Sequence, residues 1–351
     1  MLKIIKSLYP ICRSITGIGL KNSLLILKKH FSKKNKDIFK IYKIKSGTKA
    51  FDWEMPLEWV INDAYLLFNK KKVIDFKQNN LHVINYSGAI SLKNVPLKKI
   101  KKYLFFNKKI KNAIPYITSY YKKKIGLCLT YIQFKKLKEG NYSLKIDTHF
   151  KKGYSYIGEI FKKGKYRNEV FFSTYLCHPS MVNNELSGPV MSVAIHNWII
   201  KNYPKPNFTY RFVIAPETIG PLMYLKKNLN NLKKNVKYAF NLTCQAGGKT
   251  FSYLPSKNGN TLTDEISINL LKYHFKKYKI YKYLQRGSDE RQYSSPGVDL
   301  PMVSVMKKKY HEYREYHSSL DNLNFVKKEH LEHTLSFYKK AIFLIENNYY
   351  C

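Results

Sequence analysis

Four short segments of the sequence place a histidine or a carboxylate directly after an apolar run or within a polar turn. An apolar run that ends at Leu176 is followed by His178, and a second run is followed by Glu217. Asp289 and His317 lie in two later polar segments. In an open α/β sheet, catalytic groups gather at the carboxyl ends of the strands. Because imidazole and carboxylate ligands together suit Zn²⁺, the four segments predict a metal-dependent active site.

A simpler interpretation of the same histidine stays open at this level. A strand-end imidazole is also held in place when a backbone carbonyl accepts its ring N–H. The spacing of the four segments does not by itself show that His178, Glu217, Asp289 and His317 meet in space.

The elements that must position these residues follow from the pattern of the chain after residue 145. Short apolar strands alternate there with helical segments, and this alternation predicts a mainly parallel sheet with helices on both faces. The predicted helices are Val190–Lys201, Asp264–Lys277 and Glu329–Glu346.

Composition shifts divide the chain into three parts. Residues 1–44 form an N-terminal helical part of the core, with an amphipathic helix over 1–30 that is interrupted by a turn at residues 17–19. Residues 45–145 read as an inserted β-rich domain, and residues 146–351 as the α/β core. Strands are predicted in the inserted domain at 73–76, 81–86 and 126–129.

Several longer motifs accompany the four segments. They are LYPICRSITG at 8–17, SGT at 46–48 with FDW at 51–53, NLHV at 80–83 and IPYITSYY at 114–121. Together, and in this order, they resemble the zinc aminopeptidase family that includes co-catalytic two-zinc exopeptidases. The closer resemblance is to a bacterial branch that is found with polysaccharide-biosynthesis genes and is called aminopeptidase-like. The match covers nearly the whole chain.

This resemblance implies a fold and a division of labour among the site residues. The implied fold is a three-layer zinc-peptidase-like (phosphorylase/hydrolase-like) core with a mixed, mainly parallel sheet and an inserted small β-rich domain. A C-terminal winged-helix-like module is common in the branch, and we expect it to be absent here. The resemblance makes His178, Asp289 and His317 metal ligands and Glu217 the general base.

Three positions depart from the peptidase pattern. Ser180 replaces the aspartate that orients the ligand histidine, and Thr218 replaces a carboxylate ligand. Asn184 stands where the bridging carboxylate is expected, with Glu185 beside it. We therefore expect one zinc ion, held by His178, Asp289 and either Glu185 or His317, rather than two. A site without tightly bound metal is the alternative.

The expected activity is metal-dependent hydrolysis of an amide or peptide-like bond, linked to surface polysaccharide biosynthesis. The substrate would be a small peptide-like or amino-sugar molecule, contacted by Asn184, Arg291 and Tyr316. Arg291 stands out because arginine is rare in this chain and its planar fork suits a carboxylate. The alternative is a catalytically degenerate binding or scaffold protein of glycan assembly.

The net charge of +40 raises the question of a nucleic-acid partner. Nearly all of the cations are lysines spread over the whole chain, whereas base recognition favours the bidentate arginine fork. We therefore expect no specific nucleic-acid binding and at most weak contact with anionic surfaces. No apolar run approaches the roughly 18 residues of a membrane span.

The five cysteines predict reduced thiols. Their number is odd, their spacing is long and no Cys-x-x-Cys motif occurs, which favours a cytoplasmic protein over a disulfide framework. Cys177 precedes His178 on the strand, and alternation of side chains predicts that the two face opposite sides. We therefore expect Cys177 to be a packing residue.

Overall fold

The computed structural model describes residues 1–32 and 39–347. Short 3₁₀ segments lie at Asn80–His82, Lys101–Tyr103 and Tyr283–Gln285, and π-helical turns lie at Val182–Leu186 and Leu271–Phe275. The α-helices of this part of the chain are α1 (Leu2–Leu8), α2 (Ile18–His30), α3 (Leu97–Ile100), α4 (Tyr131–Lys135), α5 (Ser187–Asn202), α6 (Ile219–Asn235), α7 (Leu262–Leu270), α8 (Glu290–Tyr293) and α9 (Lys328–Asn347).

The strands divide between one large sheet and smaller ones. They are β1 (Phe39–Lys45), β2 (Lys49–Ala50), β3 (Trp53–Glu54), β4 (Glu58–Phe68), β5 (Lys71–Asp75), β6 (Ile90–Pro96), β7 (Leu104–Phe105), β8 (Leu127–Cys128), β9 (Asn141–Lys151), β10 (Tyr154–Lys162), β11 (Glu169–Tyr175), β12 (Thr209–Ala215), β13 (Val236–Asn241), β14 (Phe251–Leu254), β15 (Tyr278–Ile280) and β16 (Met302–Met306).

The large sheet of the described residues has eight strands in the order β1-β10-β12-β11-β13-β16-β14-β15. Its centre is parallel, because β11 pairs in parallel with both β12 and β13, and β13 pairs in parallel with β16. Strands β1 and β10 add to one edge in antiparallel fashion, and β14 pairs antiparallel with β16. The sheet is therefore mixed with a parallel core, and the carboxyl ends of β11, β12 and β13 share one edge.

Alternation along β11 sends neighbouring side chains into the two faces of this sheet. Phe172 stacks on Phe212, with ring centroids 4.7 Å apart, and lies under Tyr338 of α9. Phe171, one residue earlier, faces the opposite cluster, which includes residues of α6 and of a separate four-stranded sheet. Helices α1, α2, α5, α7 and α9 cover the Phe172 face. The predicted arrangement of helices on both faces is therefore present.

The four-stranded sheet is antiparallel, with strand order β5-β4-β9-β6. Strand β9 pairs with β4 from Tyr142 to Lys151, so the predicted domain boundary at 145–146 falls inside a strand of this sheet. The prediction of a strand at 81–86 is wrong. This segment begins as a 3₁₀ turn and is buried throughout, because it packs into the core without a long ladder partner.

The N-terminal prediction of one interrupted helix also needs correction. Helices α1 and α2 are separated by residues 9–17, which run as an irregular connection and carry Arg13 into the interior. Cys12, Cys128, Cys177 and Cys244 are free thiols, and Cys351 lies outside the described residues. Within the described ranges, no helix combines the length and the apolar character that a bilayer crossing requires.

Candidate active site

A cavity of about 770 Å³ opens at the carboxyl ends of the central parallel strands. It brings together four of the residues that the sequence singled out, namely His178, Glu217, Arg291 and His317. The other lining residues come from the N-terminal connection, the β2–β3 hairpin, segment 116–121 and the starts of α6 and α8. They are Ile15, Asp52, Trp53, Glu54, Pro56, Tyr116, Thr118, Tyr120, Tyr121, Cys177, Thr218, Ile219 and Gln292.

The π-helical turn before α5 places Glu185 beneath His178. The helix can start there because Gly188 has no Cβ, which would lie 2.1 Å from the carbonyl oxygen of Leu242. Asp321 holds the start of the turn, since its carboxylate accepts the backbone N–H of Asn183 at 2.6 Å and that of Asn184 at 2.8 Å. Sequence patterns indicated no role for Asp321. Its position four residues after His317 was the available signal.

Glu185 fixes the ring of His178. Its Oε2 lies 2.6 Å from Nδ1 of His178, and its Oε1 accepts the backbone N–H groups of His178 (2.9 Å) and Cys177. The Glu185 side chain is fully buried, so water does not compete for these bonds. An orienting carboxylate on a histidine sets the direction of the other ring nitrogen. Glu185 therefore supplies the orienting carboxylate that is missing at Ser180. As a result, Nε2 of His178 points at Glu217.

Nε2 of His178 lies 3.5 Å from Oε2 of Glu217. Burial opposes a positive charge on this ring, but Cys177 and Glu185 outweigh it and the pKa of His178 lies well above its usual value. Nδ1 thereby lies against Glu185, and a proton on Nε2 would lie between the ring and Oε2 of Glu217. A metal ion at Nε2 would replace that proton.

Glu217 follows β12 and belongs to a strained turn. Thr218 has φ of 66°, a left-handed conformation that is rare for a β-branched residue. Its backbone N–H donates to Oδ1 of Asp289 at 2.8 Å. Burial raises the pKa of Glu217, with Glu185 adding to the effect and His178 opposing it. A carboxyl group whose pKa is raised takes up a proton more readily than an exposed one.

Asp289 lies behind the cavity wall and is fully buried. Its Oδ2 has no hydrogen-bond partner in the described part of the chain. Burial and the negative charge of Glu217 raise the pKa of Asp289 well above its usual value. Two crowded carboxyl groups, one of them with an unpartnered buried oxygen, form a donor set that suits a cation.

His317 completes the group of predicted ligands. Its ring stacks on Tyr316 at 3.9 Å and lies 5.4 Å from the ring of His178, both between centroids. Burial and the neighbouring rings of His178 and His311 hold the pKa of His317 well below its usual value. The imidazole is therefore neutral and able to donate a lone pair. Tyr316 is a stacking partner of a ligand-type residue and is not itself in the cavity wall.

Asn184 is buried behind the same wall. Its Nδ2 donates to the Tyr175 hydroxyl at 2.8 Å, while its Oδ1 has no partner within the described residues. Tyr175 in turn contacts Thr243 at 2.5 Å between oxygens. The amide is thus fixed by neighbours of the fold, and substrate contact by Asn184 stays a prediction.

Contrary to the prediction from the sequence, the side chain of Cys177 does not face away from that of His178. β11 ends at Tyr175, so strand alternation no longer applies at 177 and 178, and both residues line the cavity. The Sγ atom lies 3.5 Å from Nδ1 of His178 and accepts the backbone N–H of Glu217 at 3.4 Å. Burial raises the pKa of Cys177 to about 11, so the thiol stays protonated and is no nucleophile at neutral pH.

A fully buried arginine supports the histidine from below. Nε of Arg13 donates to the carbonyl of His178 at 3.1 Å, and Nη1 donates to the carbonyl of Leu8 at 2.6 Å. Burial lowers the pKa of Arg13, and the negative charge of Glu185 makes the largest contribution that opposes this shift. Sequence patterns indicated no role for this arginine, although it lies within the 8–17 motif.

The donor set can be compared with what a zinc ion requires. Among the described residues, one set of three ligand-type groups lies within 4.8 Å, namely Cys177, His178 and Glu185. The 2.6 Å between Nδ1 and Oε2 is a hydrogen bond, because two ligands of one zinc are separated by roughly 3.3 Å. In this arrangement the carboxylate of Glu185 orients His178, and the role of Glu185 as a metal ligand stays a prediction.

Three other predicted ligand atoms are available in and behind the cavity wall. They are Nε2 of His178, the neutral ring of His317 and the unpartnered Oδ2 of Asp289. Their atoms are not mutually within 4.8 Å, so binding requires side-chain adjustment. Thr218 offers only a hydroxyl, which accepts from Nη2 of Arg291 at 3.2 Å. Thr218 is the position at which the motif resemblance implies a carboxylate ligand, and no carboxylate is present there.

Comparison with known proteins places this geometry in a family. A family model described as "Domain of unknown function (DUF4910)" matches residues 2–348. A Clostridium acetobutylicum protein named "Putative polysaccharide biosynthesis protein with aminopeptidase-like domain" is 40% identical over 348 residues, which are 98% of this chain and 77% of that protein. The crystal structure of a "putative peptidase" from Clostridium acetobutylicum is 39% identical, with a TM-score of 0.91 over 99% of this chain and 80% of that one.

A more distant solved structure shows the same fold. A zinc aminopeptidase from Bacillus subtilis has a TM-score of 0.67 at 12% identity, over 98% of this chain and 93% of that one. The resemblance that the motifs indicated is therefore confirmed for the family and for the mixed α/β fold.

Proposed function

The chain belongs to the DUF4910 family, and we propose that it is a metal-dependent, aminopeptidase-like hydrolase that cleaves an amide or peptide-like bond with one zinc ion. The observation that carries the proposal is the orientation of His178. Glu185 holds its Nδ1 so that Nε2 faces Glu217 within the cavity at the strand ends. The name of the Clostridium acetobutylicum relative supports a role in polysaccharide biosynthesis.

The ion would be held by His178 through Nε2, by His317 and by Asp289 through Oδ2. When bound, it would polarise the scissile carbonyl and lower the pKa of a water molecule to about 7. In this proposal Glu185 acts on the ring of His178, because its three hydrogen bonds go to Cys177 and His178.

Glu217 is the proton carrier of the proposed reaction. Its Oε2 takes a proton from the attacking water and returns it to the leaving amine, as a general base that becomes a general acid. Its raised pKa keeps that proton on the carboxyl group until the amine departs.

Arg291 provides the charge that binds the substrate. The guanidinium is exposed in the cavity and is fixed by Ser288 and Thr218, with both hydrogen bonds at 3.2 Å. A carboxylate of a peptide-like or acidic amino-sugar substrate is the natural partner of such a fork. Trp53 and Tyr121 form an edge-to-face pair on the same wall, with centroids 5.5 Å apart, and offer an apolar surface to the rest of the substrate.

The test combines metal content with one substitution. Mass spectrometry of chain prepared without chelator or affinity histidines is expected to find about one zinc per chain, and His178→Ala to lose it. Glu217→Gln is expected to keep zinc and fold but to lose at least about 100-fold in hydrolysis of aminoacyl anilides and dipeptides. Glu332→Gln on the surface of α9 is the matched control.

Two outcomes would contradict the proposal. Full hydrolysis by Glu217→Gln would remove this residue from the mechanism. No stoichiometric metal after zinc is supplied, together with ligand binding but no hydrolysis, would instead support the non-enzymatic binding or scaffold protein.

A further inference from the structure

A second cavity, of about 590 Å³, lies between the π-helical turn after α7 and the first turns of α9. It shares no lining residue with the active-site cavity. Its lining residues are Lys249, His274, Phe275, Lys276, Lys277, Lys327, Glu329, His330 and His333. Four lysines and one glutamate leave this small volume with a net charge of +3 before any histidine is protonated.

The lysines of this cavity are not neutralised by the protein. In the described part of the chain, none of the four lining lysines forms an ion pair, whereas Lys72 and Lys257 elsewhere pair with aspartates at 3.1 and 2.6 Å. Four lysines with a single carboxylate, Glu329, among them repel one another, and a bound anion reduces this repulsion.

A buried lysine directly behind the wall adds to this imbalance. Lys307 is 1% exposed, and its Nζ contacts the carbonyl of Lys249 at 3.1 Å and Nδ1 of His333 at 2.5 Å. Burial lowers the pKa of Lys307 to about 7. Burial and the charge of Lys307 also lower the pKa values of His330 and His333. None of these three groups supplies a negative charge that would offset the lining lysines.

The helix terminus, the aromatic wall and the volume of the cavity indicate which class of anion it can bind. Helix α9 has 20 residues and begins at Lys328, so the positive end of its dipole lies at the cavity. Phe275 is partly buried and gives the wall one aromatic face. The volume falls within the range of small-molecule sites. A diphosphate carries several negative charges near neutral pH, which matches the uncompensated lysines.

We propose that this cavity binds a diphosphate group, either free or as part of a nucleoside diphosphate. The lysines and the α9 N-terminus hold the phosphate oxygens, and Phe275 provides a surface for a nucleoside where one is present. The site is separate from the proposed hydrolytic centre and does not depend on its activity.

The test is isothermal titration calorimetry with inorganic pyrophosphate and with adenosine diphosphate, at constant ionic strength set by potassium chloride. Lys277→Gln combined with Lys327→Gln removes two exposed charges from the cavity without removing a side-chain hydrogen bond. Lys98→Gln combined with Lys99→Gln removes two exposed charges from α3 and is the matched control. The first pair is expected to weaken binding about tenfold, and the control pair less than about threefold.

The two ligands distinguish the sources of the diphosphate. Tighter binding of adenosine diphosphate would assign a nucleotide, and equal binding would assign free diphosphate. No binding of either ligand, or equal weakening by both lysine pairs, would overturn the proposal in favour of attraction by net charge alone. Loss of binding in Arg291→Gln would also overturn it, because the ligand would then lie in the active-site cavity.

Discussion

Glu185→Gln tests the central feature of the site, which is the fixed direction of the His178 ring. The introduced amide keeps one oxygen for the backbone N–H groups that Oε1 now accepts. Its nitrogen, however, would meet Nδ1 of His178, where Oε2 of Glu185 now lies at 2.6 Å. Nδ1 must then accept instead of donate. The ring proton moves to Nε2, the nitrogen that faces Glu217 and is needed for the metal.

The size of the effect follows from the burial of the pair. Loss of a carboxylate that orients a ligand histidine typically weakens metal binding 10- to 100-fold, which is about 1.4–2.7 kcal/mol. The side chains of His178 and Glu185 are 6% and 0% exposed, so no water replaces the lost acceptor. We therefore expect a loss near the upper end, about 100-fold in zinc affinity.

Competition with a chromogenic chelator measures the zinc affinity of the wild type and of each variant. Glu346→Gln is the matched control, since Glu346 is also buried and accepts the backbone N–H groups of Asn207 and Phe208 and the hydroxyl of Tyr210. Urea unfolding confirms that both variants are folded. If Glu185→Gln binds zinc as tightly as Glu346→Gln, the orienting role of Glu185 is refuted.

Three further predictions concern the surroundings of the site. Arg13→Gln should lower the free energy of unfolding, measured in urea, by about 2–4 kcal/mol, because two buried carbonyls lose their donor. The control Arg167→Gln, at an exposed arginine, should change it by less than about 0.5 kcal/mol. Equal effects of the two substitutions would contradict this prediction. Arg291→Ala should raise KM for carboxylate-bearing substrates about tenfold with zinc content unchanged, and unaltered KM in steady-state kinetics would exclude the charge contact. Burial raises the pKa of Asp321 from 3.8 to about 6. A raised carboxyl pKa contributes stability that is complete below the unfolded pKa and is lost as the pH rises to the folded one. Asp321→Asn should therefore flatten the fall in stability between about pH 4 and 6 by up to about 3 kcal/mol, and an unchanged slope in urea titrations across that window would argue against it.

Much of the fold was accessible from local pattern. The run ending at Leu176 contains a fully buried strand, and its neighbour ending at Ala215 pairs with it in parallel. The segment 81–86 shows where this reasoning fails. An apolar run only requires burial, and burial was satisfied here by packing without a strand.

The candidate site, like the fold, was only partly predictable from local pattern. The sequence supplied His178, Glu217, Asp289, Arg291 and His317 as residue types in polar segments next to predicted elements. It did not indicate which of them approach one another. Distances such as the 3.5 Å from Nε2 of His178 to Glu217 depend on how β11 and β12 are aligned.

The sequence by itself determined the family, the fold class and the types of residue available for chemistry, since these depend on composition and on patterns along one segment. The tertiary structure alone decided what each residue does. Glu185 became the orienting partner of His178 because a π-helical turn, closed by Asp321 from a distant part of the chain, brings its carboxylate under the ring. Arg13 and Lys307 became buried cations for the same reason. Their surroundings are built from distant segments, and no local pattern records which segments will meet.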